Sequence, residues 1–135
     1  MELGKILFEG QIQGIALAVF QNEKPPCGLA GLIDWHIQGR ISKFLKSGAI
    51  TGEIGECTYL PIHRKDSIFH FILAGAGHSQ APGIRNSVPK ETIQILHKNL
   101  LSLKIPKVGI SQSDFGMNAD SFTQHFKGVS LWISQ

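Results

Sequence analysis

The chain has 135 residues, 42% of them hydrophobic and 17% charged, and a formal charge of +3. Such a composition fits one folded domain with one core, expected to span residues 1–135, and excludes a disordered chain. The thirteen Lys and Arg are spread from Lys5 to Lys127, and the only compact basic cluster, His63-Arg64-Lys65, is followed at once by Asp66. No apolar run approaches the ~20 residues of a membrane span, so neither nucleic acid nor membrane is an expected partner.

Ile6 and Phe8 alternate with polar neighbours, and Ile15-Ala16-Leu17-Ala18-Val19-Phe20 is continuously apolar. These runs predict two strands, the second buried on both faces and ended by Gln21-Asn22-Glu23-Lys24-Pro25-Pro26. From Leu29 the period changes. Leu29, Ile33, Ile37, Ile41 and Phe44 or Leu45 recur at helical spacing, with Lys43 and Lys46 in the last turn and Gly48 beyond, which predicts one amphipathic helix. Residues 58–62 and 67–73 are strand-like and separated by four polar residues, so they are expected to pair as a hairpin.

After Ala74-Gly75-Ala76-Gly77, the pairs Pro82-Gly83 and Val88-Pro89 mark a loop, and Ile93, Leu96, Leu100 and Leu103 then predict a second helix. A short strand at Val108-Gly109-Ile110 leads through a polar connection to a last helix carrying Phe122 and Phe126, with Asn118 as its cap and Gly128 as its stop. Val129, Leu131 and Ile133 alternate in a closing strand, with Trp132 on the opposite face. Strands interleaved with helices in this order predict a three-layer α/β/α fold around a mixed, mainly parallel sheet. Trp35 lies off the apolar stripe and is either a wider core face or an exposed anchor for a partner.

Cys27 and Cys57 match neither a zinc pattern nor a Cys-x-x-Cys pair, and no basic-then-apolar leader opens the chain. Together these features place the protein, as an expectation, soluble in the cytoplasm with reduced thiols. No two of the six histidines lie four apart on a predicted helix, so no metal site is expected, and no cofactor either.

Pro25-Pro26-Cys27-Gly28-Leu29-Ala30-Gly31-Leu32-Ile33-Asp34-Trp35, continuing through Gly39-Arg40-Ile41-Ser42, resembles the first helix of the leucyl aminopeptidase N-terminal domain. Thr51-Gly52-Glu53-Ile54-Gly55-Glu56 is similar to the Gly-x-x-Gly-Glu element that follows it there, and Leu73-Ala74-Gly75-Ala76-Gly77 to the family's apolar strand with a Gly-x-Gly end. The resemblance covers most of the chain and implies a macro-domain-like fold. In the full-length peptidases this domain precedes a separate catalytic domain holding two metals. None of the ten Asp and Glu falls in the Asn-Thr-Asp-Ala-Glu-Gly-Arg type of run that carries that chemistry, so peptidase activity is not carried over.

Candidate site residues follow predicted strands, where open α/β sheets place ligands. Gly75, Gly77 and the neighbouring His78 form one turn, either a plain tight turn or a phosphate cradle. Gly109, Ser111, Ser113, Asp114, Phe115 and Gly116 supply hydroxyls, a carboxylate, an aromatic face and glycines after another strand. Ligand-binding macro domains have a glycine-containing phosphate loop in the corresponding place, and the resemblance puts Cys27 and Gly28 where those domains have a glycine-rich turn. Gln21-Asn22-Glu23 departs from their Asn-Ala-Ala-Asn type sequence.

Three functions follow. The first is a non-catalytic module working by self-association or through a protein partner, since the peptidase-like domain stands without metal-site motifs. The alternative is a binding domain for ADP-ribose, a nucleotide or another phosphate-containing small ligand. The third is a hydrolase using Cys27, Asp114 or His78. Cys27, ahead of a helix, is either an activated thiolate or a small buried residue.

Overall fold

The computed structural model describes residues 10–64, 66–80 and 87–135. The strand expected around Ile6 and Phe8 and the Pro82-Gly83 turn lie outside them. Within them run β1 (Gly14–Val19), α1 (Gly28–His36), α2 (Arg40–Ser47), β2 (Cys57–Arg64), β3 (Ser67–Gly75), α3 (Lys90–Leu103), β4 (Val108–Ser111), α4 (Gln112–Phe115), α5 (Ala119–His125) and β5 (Leu131–Ser134).

The five strands form one sheet in the order β2-β3-β1-β4-β5. Only the β2–β3 hairpin is antiparallel, with Tyr59 opposite Ile72 and Pro61 opposite His70. β1, β3, β4 and β5 run parallel, so their C-terminal ends emerge along one edge. This is the mixed, mainly parallel sheet expected from the alternation of strands and helices.

β1 is buried along its whole length, as its unbroken apolar run requires of a central strand. Its alternation separates two cores. Ala16 and Ala18 face α3, α4 and α5, and their small size leaves room for Phe115, Phe122 and Phe126. Ile15, Leu17 and Val19 face α1 and α2 with Ile33, Ile41 and Leu45. β3 divides likewise, Ile72 and Ala74 to the first core and Phe69, Phe71 and Leu73 to the second. Trp132 packs partly buried against the second core while Leu131 and Ile133 pack against the first.

The helix expected from Leu29 to Leu45 is two helices. Gln38 and Gly39 both take left-handed conformations, φ 63° and 75°, which no continuous helix accommodates. Asp34, within α1, anchors the first turn of the second helix. Its carboxylate is buried and accepts from the N–H groups of Ile41 (2.7 Å) and Ser42 (3.1 Å) and from the Ser42 hydroxyl. Otherwise those first-turn amides would lack acceptors. Gly48, φ 81°, ends α2 as expected. Asn118 caps α5 by accepting from Ser121 N–H at 2.9 Å, and α5 ends at His125, before the expected stop at Gly128. Part of the expected polar connection after β4 is a helical turn, α4, with Ser111 as its cap.

Candidate functional site at the strand ends

β1 leaves the sheet into α1 on one face, whereas β4 leaves into α4 and α5 on the other. The two strands are paired only at Gly14–Val108 and Ile15–Gly109. The edge between them is therefore a topological switch point, where diverging connections leave a crevice at the C-terminal ends of the strands. The loop 20–27 and the segment 112–118 border it. Beyond Ile15 the place of a ladder bond is taken by Asp114, whose Oδ2 accepts from Ala18 N–H at 2.9 Å.

That placement redefines several candidates. Asp114 is 4% exposed, and its Oδ2 holds α4 against β1. Phe115 is fully buried, edge-on to Phe122; its ring belongs to the core and presents no face to a ligand. Gly109 is inside β4 opposite Trp132, and a Cβ there would meet the Ile12 side chain at 2.8 Å. Its glycine answers to packing. Ser111 is buried, its hydroxyl accepting from Asp114 N–H (3.3 Å) and donating to the Gln135 carbonyl (3.1 Å). Ser113 is exposed, and it shares with Gly116 a depression of about 410 Å³ also lined by Gln112, Met117, Asn118 and Gln135.

Around the Gly75-Ala76-Gly77 turn the backbone groups are bonded within the chain. Gly75 N–H donates to Glu56 O (2.8 Å), Ala76 N–H to Val19 O (2.9 Å) and Gly77 N–H to Gly52 O (2.8 Å). The Gly75 carbonyl accepts from Thr92 Oγ1 at 2.8 Å, and that of Gly77 from Gln21 N–H at 2.8 Å. A Cβ on Gly75 would run into the carbonyl oxygen of Glu53. The glycine therefore admits the segment 51–56, which crosses the ends of β1 and β3. Glu56 fixes that segment, its carboxylate accepting from Thr51 N–H, Thr51 Oγ1 and Gly52 N–H. His78, the next residue, is exposed.

The first turn of α1 differs. Cys27 precedes it in extended conformation, half-buried, and its thiol caps no helix amide; Gly28 follows at φ 62°. A Cβ on Gly31 would come within 2.5 Å of the Pro26 carbonyl, so this turn packs tightly on its own entry. Among the described residues no group of three or more His, Cys, Asp and Glu could hold a metal ion, and no helix is long and apolar enough to cross a membrane.

Sequence reasoning passed over Asn22, whose side chain ties the loop after β1 to the loop after β3. Its Oδ1 accepts from Ser79 N–H (2.9 Å) and its Nδ2 donates to Ser79 O (3.0 Å). An Asn just past a buried strand was the available signal.

No family model matches the chain, and no curated protein matches it by sequence. Its fold is matched among solved structures. The macrodomain of Thermus aquaticus DarG is similar at TM-score 0.64 and 14% identity, covering 96% of this chain and 93% of that one. Thermosipho africanus DarTG in complex with ADP-ribose is similar at 0.59 and 12%, covering 95% and 39%. A tomato leucine aminopeptidase mutant is similar at 0.55 and 18%, covering 88% of this chain but 24% of the peptidase. The fold is thus the three-layer macrodomain fold. The aminopeptidase likeness first read from the sequence is the weaker of these matches.

Proposed function

We propose that this domain binds ADP-ribose or a related nucleotide diphosphate at the strand-end crevice between β1 and β4. The observation that carries the reading is the switch point itself, with the first turn of α1 opening beside it without a side-chain cap. Helix N-termini present N–H groups and the positive end of the helix dipole, which suits a diphosphate. The ADP-ribose complex of the similarly folded Thermosipho africanus DarTG supports the choice of ligand. The amides of Gly28, Leu29 and Ala30 would receive the phosphates, with Ser113 and Gly116 on the opposite bank.

The test is titration with ADP-ribose, read by amide chemical shifts and thermal denaturation. At a ligand concentration of 100 Kd, about 2.7 kcal/mol of stabilisation follows. The largest shifts are expected at residues 28–30. Neither stabilisation nor shifts there at millimolar ADP-ribose would overturn the assignment.

A second reading, a protein-interaction or self-association surface, is favoured by one feature. Trp35 is 79% exposed and Leu32, one helical turn earlier, 38% exposed. Sizing of the wild type against Trp35→Glu tests it, and a monomer in both cases counts against it.

A further inference from the structure

On the face of the sheet covered by α1 and α2, the loop leaving β1 and the second half of α2 enclose a cavity of about 430 Å³. Its walls are Lys24, Pro25, Ser42, Leu45 and Lys46. That volume lies within the range of small-ligand sites, about 300–1,000 Å³. Two lysines line it, and among the described residues no Asp or Glu does. Among the described residues neither lysine has a carboxylate partner. Behind the wall, Asp34 is already engaged by three donors, including the Ser42 hydroxyl. α2 adds no acid of its own, and Arg40 and Lys43, outside the cavity, reinforce the positive potential. Two like charges beside one concavity favour an anion between them.

From this cavity we infer a binding site for a small phosphomonoester. The two ammonium groups of Lys24 and Lys46 neutralise the dianion, while Pro25 and Leu45 provide apolar contact for the sugar or other organic body it is attached to. The site lies on the α1–α2 side of the loop 20–27 and does not rest on the reading given for the crevice.

The test is titration at low ionic strength with inorganic phosphate and, separately, with ribose 5-phosphate, read by amide shifts and calorimetry. Shifts are expected at Ser42, Leu45 and Lys46 with both probes, and tighter binding for the sugar phosphate. Lys24→Gln/Lys46→Gln should weaken binding at least tenfold. Arg40→Gln/Lys43→Gln, which removes the same charge outside the cavity, should leave it within twofold. Both lysines are exposed, and an unchanged melting temperature certifies the folded variant. Equal losses in the two double variants would reduce the effect to general positive potential and overturn the site. So would shifts confined to residues 28–30, which would instead assign the phosphate to the crevice. Absence of ADP-ribose binding leaves this titration fully readable.

Discussion

Gly75→Ala tests the claim that the glycine turn after β3 exists to admit a neighbouring segment. The new methyl group would collide with the Glu53 carbonyl oxygen and lie 2.9 Å from Glu53 C and 3.0 Å from Gly52 C, all backbone atoms that no rotamer change can clear. Either β3 or the segment 51–56 must move. Overpacking of this kind costs about 1–3 kcal/mol. Movement also weakens the bonds from Gly75 N–H to Glu56 O and from Gly77 N–H to Gly52 O, each contributing about 1 kcal/mol net. The expected loss is about 2–5 kcal/mol, a large share of the ~5–15 kcal/mol that stabilises a typical domain. Denaturant unfolding with a shared m-value measures it. Gly48→Ala is the control: nothing lies within 4 Å of its Cβ, so only the left-handed φ of 81° opposes it, at about 1 kcal/mol. If Gly75→Ala costs no more than Gly48→Ala, the packing account is wrong.

Asp34→Ala removes the acceptor of three donors at the start of α2 and should cost about 2–4 kcal/mol in the same assay; a loss below half a kcal/mol, about the scatter of surface substitutions, would refute the capping role. Lys104 closes α3 in a left-handed conformation, φ 52°, so Lys104→Gly should stabilise by about 0.5–1 kcal/mol, seen as a higher denaturation midpoint. Burial raises the Cys57 thiol from 9.0 to about 11. Between those values the unfolded chain holds fewer protons than the folded one, so stability falls as pH rises from 9 to 11, and Cys57→Ala should lessen that fall. Burial lowers His70 below its ordinary 6.5, so its contribution is complete above that pH and declines as pH drops below it. Midpoints at pH 7 and 5, compared with His70→Gln, show whether the histidine is responsible.

The strands were legible because burial on one or both faces leaves a direct imprint on the order of residues. The alternation in β5 placed Trp132 opposite Leu131 and Ile133, and the unbroken run in β1 marked a central strand. The break between α1 and α2 was hidden because Ile37 and Ile41 keep helical spacing across it. What divides the helix is a left-handed pair at Gln38 and Gly39 and a carboxylate seven residues before the amide it caps, neither of which alters the apolar period. At the strand ends the sequence indicated which loops converge but not which of their amides are engaged. That depends on contacts between residues far apart in the chain: Asn22 with Ser79, 57 residues away, and Ala18 with Asp114, 96 away.

These long-range contacts bear on how a site could be built at this edge. A phosphate cradle needs N–H groups directed at the ligand, yet those of Gly75, Ala76 and Gly77 already meet carbonyls. In the segment after β4, Ser113 N–H donates to Gln135 O, Met117 N–H to Gln112 O and Asp114 N–H to Ser111 Oγ. Diverting any of these amides to a ligand would leave a carbonyl or hydroxyl without its donor, at about 1–3 kcal/mol for each buried group. Glycine alone is therefore a poor indicator of a ligand loop in this fold. Gly75 and Gly109 are explained by what packs against them, whereas Gly28 opens a helix turn with no side-chain cap. Were the α1 turn to receive a ligand as proposed, the internal hydrogen bonds of the two other loops would stay in place.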